Sequence, residues 1–191
     1  MIELLSDIKK CTLCELHLPL GPRPVMSAHP ESKIVLIGQA PGTRVYQSGI
    51  PWDDASGKNL RKWMNITEDD FYNPRNIAII PMGFCYPGKG KSGDLPPRPE
   101  CAPNWHKLVL EQIKEVKLTL LVGQYAQNYY LNNRAKSTLT ETVRSFEEYL
   151  PEYLPLPHPS PRNNIWMKKN GWFEDEVLPE LKDKLALHLN S

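Results

Sequence analysis

The sequence predicts an α/β protein: a three-layer sandwich whose central parallel sheet of four strands is covered by helices on both faces. Three observations carry this expectation. Four short apolar runs read as buried strands, and stretches with helical spacing lie between them, an alternation that favours parallel crossover connections. Polar loops rich in glycine and proline follow several of these runs, at the carboxyl ends where open α/β sheets bind ligands. The length of 191 residues fits one domain with a sizeable core. No repeat, low-complexity tract or flexible linker divides the chain, so residues 1–191 are read as a single domain.

The elements follow in order. Residues 2–10 form a first amphipathic stretch. Residues 33–37, containing Ile34-Val35-Leu36-Ile37, form the first strand and lead into a polar loop reaching Asp54. Ser56 is placed to cap a helix through Trp63, because Asn59 and Lys62 segregate from Leu60, Trp63 and Met64 at helical spacing. Asn76-Ile77-Ala78-Ile79-Ile80 is the second buried strand, followed by a long Pro/Gly/Lys loop over 82–103. A helix is expected over 104–115, with Trp105, Leu108 and Ile113 facing inward. Leu118-Thr119-Leu120-Leu121-Val122-Gly123 is the third strand, with helical text over 125–131. Thr138 and Glu141 have the spacing of a capping box. Tyr153–Leu156 is a short fourth strand, and residues 173–189 are helical with a start or kink at Pro179.

Composition bounds the function. Proline, at 19 residues, is about twice its usual ~5% share, which implies long, stiff, ordered loops where function tends to reside. The net charge of +1 supplies no global field toward nucleic acid, although a local basic stripe suffices for a compact site. No apolar run approaches the ~20 residues that span a bilayer. The segment Met1-Ile2-Glu3-Leu4-Leu5-Ser6-Asp7 has neither the basic flank nor the apolar core of a signal peptide, so a cytoplasmic protein is expected; a monomer is the separate expectation for its assembly. In that compartment thiols stay reduced, which leaves the four cysteines free or metal-bound rather than paired.

Two remote segments carry the chemistry. Gly38-Gln39-Ala40-Pro41-Gly42 follows the first strand, and His158-Pro159-Ser160-Pro161 follows the fourth. Glycines at both ends let the first loop turn sharply and bring its amides close to a ligand. Taken singly, each loop also reads as a plain structural turn. Together, and with Gly49-Ile50-Pro51-Trp52-Asp53-Asp54-Ala55-Ser56-Gly57 between them, they resemble the signature motifs of the uracil-DNA glycosylase superfamily, nearest its iron–sulfur, family 4 branch. The resemblance implies a uracil-DNA glycosylase-like fold and hydrolysis of an N-glycosidic bond in DNA containing a damaged base. It places Gly38, Gln39, Ala40, Pro41, Gly42 and Trp52 around the base, with the Trp52 ring stacked on it; a core aromatic is the alternative reading of Trp52. It gives His158 the hydrogen bond to the departing base anion, and Ser160 a hold on phosphate.

Two positions depart from the pattern. Gln39 stands where the branch has an acid, Ala40 where the classical branch has aspartate, and glutamine cannot act as a general base. Asp53 and Asp54 are the nearest carboxylates, and Asp53 is the catalytic candidate; a capping or solvated role is its alternative. Pro81 stands where related enzymes carry the asparagine that reads a pyrimidine edge, which transfers base reading to backbone groups of Met82, Gly83 and Phe84. The base is therefore open among uracil, hypoxanthine, xanthine and other damaged bases. A non-catalytic nucleic-acid-binding module and a nucleoside hydrolase are the rival functions.

Cys11 and Cys14 form a C-x2-C pair, and Cys85 and Cys101 are fifteen residues apart. The order resembles the [4Fe–4S] ligand set of the same branch, and thiolates from separate segments would clamp the Pro/Gly-rich loop between them. A four-cysteine zinc site and an unloaded set of thiols are the alternatives. Arg44, Lys58, Arg61, Lys62, Lys89, Lys91, Arg98, Arg162, Lys168 and Lys169 are candidate phosphate contacts, each otherwise explained as solvated surface charge.

Overall fold

The computed structural model describes residues 1–189. In chain order, helix α1 (Ile2–Lys9) precedes strand β1 (Ile34–Ile37); α2 (Thr43–Ser48), α3 (Ala55–Met64) and α4 (Glu68–Tyr72) lead to β2 (Ile77–Ile79). A small antiparallel hairpin, β3 (Lys89–Gly90) and β4 (Gly93–Asp94), precedes α5 (Cys101–Leu110) and β5 (Leu118–Val122). Then come α6 (Gln124–Leu131), α7 (Leu139–Arg144), β6 (Tyr153–Leu156), α8 (Asn164–Lys169) and α9 (Leu178–Leu189).

The main sheet is wholly parallel in the order β2-β1-β5-β6. Leu36 lies opposite both Ile79 and Leu120, and Val122 opposite Leu156. Every residue of β1 and β5 is buried, as central strands covered on both faces require. Alternation along the strands then assigns the layers. Leu36, Ile79, Leu120 and Leu154 join Leu60 and Met64 of α3, Phe71 of α4 and Leu181 of α9 in one core. Val35, Ile37, Ala78 and Leu121 face Ile8 of α1, Val109 of α5 and Ala126 of α6 in the other. This is the three-layer sandwich expected from the sequence, with four strands in the sheet.

The chain moves outward from β1 to β2, then crosses back to β5 on the other side of β1. The carboxyl ends of β1 and β5 therefore flank the point where strand order reverses, the crevice that open α/β sheets use for ligands.

Several local expectations change. α3 is capped by Asp54, whose side chain accepts from Gly57 N–H, rather than by Ser56. Aspartate is as good a cap as serine and sits one residue before the first helical amide. α5 begins at Cys101, inside the supposed loop, and ends at Leu110; Leu108 points to solvent, while Ile113 is buried beyond the helix end. The loop over 82–103 carries the β3–β4 hairpin, whose two-residue turn Lys91-Ser92 is flanked by paired Gly90 and Gly93. The capping box at Thr138 and Glu141 forms in full. A π-helical turn, Phe173–Val177, leads into α9, with Pro179 in its first turn, where a missing N–H costs little.

Candidate functional site

Beyond β1 the backbone stays tied to the sheet: the carbonyls of Gly38 and Gln39 accept from the N–H groups of Met82 (2.9 Å) and Gly83 (3.0 Å). A Cβ on Gly38 would fall 2.7 Å from Cζ2 of Trp52, so glycine here lets the indole lie directly on the loop. Trp52 itself has φ 58°, in the left-handed region, which for a bulky residue costs about 1–3 kcal/mol and persists only when its surroundings enforce it. Helix α3 does so. A Cβ on Gly57 would lie 1.8 Å from the Trp52 carbonyl oxygen, and the Arg61 guanidinium donates to that oxygen at 3.4 Å while ion-pairing with Glu68 at 3.6 Å.

The second loop leaves β6 at Leu156. Asn163 Nδ2 donates to the His158 carbonyl at 2.7 Å, and Asn59 Nδ2, from α3, donates to the Pro159 carbonyl at 3.0 Å. The Ser160 hydroxyl accepts from Arg162 N–H and caps the turn Pro161–Asn163. Helix α3 thus braces both loops, one through Gly57 and Arg61 and the other through Asn59. The rings of Trp52 and His158 face one another with centroids 5.7 Å apart and planes tilted by 33°.

Between them lies a solvent-open cavity walled by Gly38, Gln39, Ala40, Pro41, Gly42, Trp52, Asp54, Pro81 and His158. An outer trough continues from it, adding Ser56, Lys89, Asp94, Leu95, Ser160 and Arg162. Burial pushes the His158 imidazole below its ordinary range, with Asp54 pulling weakly the other way. The ring is therefore neutral at pH 7 and has one N–H to donate. Burial raises the Asp94 carboxyl, against the pull of Arg162 and Lys89.

The structure brings together most of the residues singled out in the sequence, but not all. Asp53 does not line the cavity; it is ion-paired with Arg44 at 3.8 Å, and Asp54 supplies the wall carboxylate. Met82 and Gly83 also lie outside that wall, and their amides are already bonded to Gly38 and Gln39. The base-reading role expected for them has no free donor, because the same N–H groups hold the first loop in place. Of the candidate phosphate contacts, Lys89 and Arg162 face the trough, whereas Arg44, Arg61 and Arg98 are engaged with Asp53, Glu68 and Glu100.

A sequence model of the uracil DNA glycosylase superfamily matches residues 26–182, well over half of the chain. The chain belongs to the uracil DNA glycosylase superfamily. It is similar to a Type-4 uracil-DNA glycosylase of Thermotoga maritima, with 25% identity over 165 residues that cover 84% of this chain and 82% of the relative. In this superfamily member, both signature loops meet at the crevice beside β1.

The four cysteines lie away from the cavity beside Trp52. Cys11, Cys14, Cys85 and Cys101 are free thiols lining a separate cavity with Phe84, Arg98 and Trp105. Phe84 N–H donates to Cys101 Sγ at 3.3 Å, a contact that stabilises thiolate, the metal-binding form. The Cys14 thiol instead donates to the Glu100 carboxylate at 3.8 Å. Burial otherwise pushes the Cys85 thiol up to about 11 and Cys101 up to about 12. Among the described residues, no three His, Cys, Asp or Glu side chains converge where a single ion would sit.

Sequence reasoning missed the supports. His106 is buried, with Nε2 3.0 Å from the Pro81 carbonyl and Nδ1 2.7 Å from the Tyr130 hydroxyl. Burial drives its pKa down to about 4, so the neutral ring donates from Nε2–H to Pro81 and accepts from Tyr130. Asn59 and Gly57 lacked any individual signal, whereas Gly90-Lys91-Ser92-Gly93 carried a legible two-residue turn.

Proposed function

We propose that this protein excises a damaged base from DNA by hydrolysing the N-glycosidic bond, after the nucleotide has flipped out of the stack into the cavity beside Trp52. The observation that carries the reading is the meeting of the Gln39 loop, Trp52 and His158 on one cavity from three distant parts of the chain. The named activity of the Thermotoga relative supports it. Trp52 stacks on the base and fixes its plane. As the bond between sugar and base breaks, its electron pair goes to the base, and neutral His158 donates a hydrogen bond to the oxygen where charge gathers. Water adds to the sugar carbon. Gln39 orients that water and the Asp54 carboxylate takes its proton. Lys89, Arg162 and the Ser160 hydroxyl hold flanking phosphates, so binding weakens with salt. Asp53 serves this scheme by fixing Arg44.

Base choice is broader than strict uracil, because Pro81 offers no amide and Gln39 is the carboxamide in the wall. The four cysteines are proposed to hold a [4Fe–4S] cluster. All four line one cavity without converging on a point, whereas tetrahedral zinc needs four sulfurs each about 2.3 Å from one ion. When bound, the cluster supplies structural cross-linking of the N-terminal segment to the loop before α5.

Oligonucleotides carrying uracil, hypoxanthine or xanthine, assayed for abasic sites, test the excision reading. Turnover of at least one, lost by a factor of about 100 or more in His158→Ala, is the expected result. The absence of a carboxylate at Gln39 and of an amide at Pro81 favours a second reading, a binding module that keeps the fold. Tight, salt-sensitive binding with no turnover on any base would establish that reading and remove the first.

A further inference from the structure

The indole nitrogen of Trp105 is buried and has no acceptor among the described residues. A buried donor left unpaired costs about 1–3 kcal/mol, and native proteins rarely tolerate one without a reason. Trp105 lines the same cavity as the four cysteines. It also stands one helical turn after Cys101 on α5, a spacing that puts both side chains on one face. Of the sulfurs, Cys101 already accepts from Phe84 N–H at 3.3 Å, and the Cys14 thiol is turned to the Glu100 carboxylate at 3.8 Å. None of the four thiols accepts from the indole. Its natural acceptor is thus an atom that arrives with the bound group.

We propose that Trp105 Nε1–H donates a hydrogen bond to an inorganic sulfide of an iron–sulfur cluster held by Cys11, Cys14, Cys85 and Cys101, and so sets the cluster's potential. The inference rests on the cluster reading and not on base excision. A hydrogen bond to sulfide favours the more negative, reduced cluster. Removing it shifts the equilibrium toward the oxidised form. A hydrogen bond to a charged acceptor is worth about 1.5–3 kcal/mol, which is roughly tenfold or more in the ratio of oxidised to reduced cluster at fixed poise; tenfold corresponds to about 59 mV for a one-electron couple.

The test reconstitutes wild type and Trp105→Phe with iron and sulfide without oxygen, then measures metal content, melting temperature and midpoint potential. Equal loading with a more negative potential in the variant is the expected result; equal loading with an unchanged potential overturns the inference. Should the variant fail to load, electron–nuclear double resonance on wild-type cluster in H2O and D2O decides instead. An exchangeable indole proton coupled to the cluster supports the assignment, and its absence overturns it. A wild type that takes up no iron and sulfide, or binds zinc alone, overturns both this inference and the cluster reading while leaving excision untouched.

Discussion

Enclosure of the His106 imidazole between the Pro81 carbonyl and the Tyr130 hydroxyl makes folding resist its protonation. In the unfolded chain the ring titrates near 6.5; in the fold its pKa falls to about 4. Above pH 6.5 the ring is neutral in both states and contributes no pH dependence. As pH falls from 6.5 toward 4 the unfolded chain gains a proton that the folded one refuses, and stability declines by on the order of 3 kcal/mol. Burial lowers His158 in the same direction and adds to the slope. Unfolding free energies measured from pH 7 to pH 4 should therefore fall less steeply in His106→Phe than in wild type, and identical slopes would contradict a neutral, enclosed His106. This residue gave no sign of itself in the sequence, since a histidine between a tryptophan and a lysine on an amphipathic helix reads equally well as surface. Trp52 was legible because its Pro-Trp-Asp-Asp setting marks a loop rather than a core strand. Its left-handed backbone was not, because Gly57 and Arg61 enforce it.

Helix α3 is the element on which the site depends. Asp54 starts it, Gly57 and Arg61 hold the Trp52 carbonyl, and Asn59 holds the Pro159 carbonyl of the opposite loop. A methyl group at Gly57 meets backbone, not a flexible side chain, at 1.8 Å, so the loop must shift rather than a rotamer change. Gly57→Ala should cost about 1–3 kcal/mol of stability and displace Trp52 from the cavity, lowering excision more than the melting temperature alone would explain. A variant with wild-type melting and turnover would show that Trp52 is not held by this contact. The helical spacing was visible from Leu60, Trp63 and Met64, but the bracing was not, since Asn59 and Pro159 are one hundred positions apart. The β3–β4 hairpin shows the converse. Its Gly-x-x-Gly turn was written in the sequence, yet proline and lysine around it read as loop.

At the scale of the molecule, the cysteine cavity and the base cavity are joined by one stretch of chain. Cys85 and Cys101 bracket the segment that carries the hairpin. Ser92 in its turn accepts from Arg162 at 3.4 Å, and Asp94 abuts Gly42 so closely that a Cβ there would lie 3.2 Å from its carboxylate. A cluster clamping the cysteines, as proposed, would steady the trough as well as the N-terminal segment. Cys85→Ser in cluster-loaded protein should lower the melting temperature by about 5–10 °C, the size expected when a few kcal/mol are lost from a chain this long. Excision at low temperature should fall less. Equal melting of the loaded wild type and variant would remove the structural role of the cysteines.

The sequence by itself determined the layered α/β architecture, the four strands and the two loops at their carboxyl ends. Those features follow from local periodicity and turn chemistry, which act over a few neighbouring residues. The four cysteines singled out in the sequence line one cavity in the fold. Tertiary structure decided which carboxylate faces the cavity, because Asp53 and Asp54 differ only in the direction that capping α3 imposes. It decided that the Met82 and Gly83 amides are consumed by the first loop. And it decided that Trp105, in the wall of the cysteine cavity, keeps a buried N–H without an acceptor among the described residues, since hydrogen-bond satisfaction is settled only when distant segments are packed together.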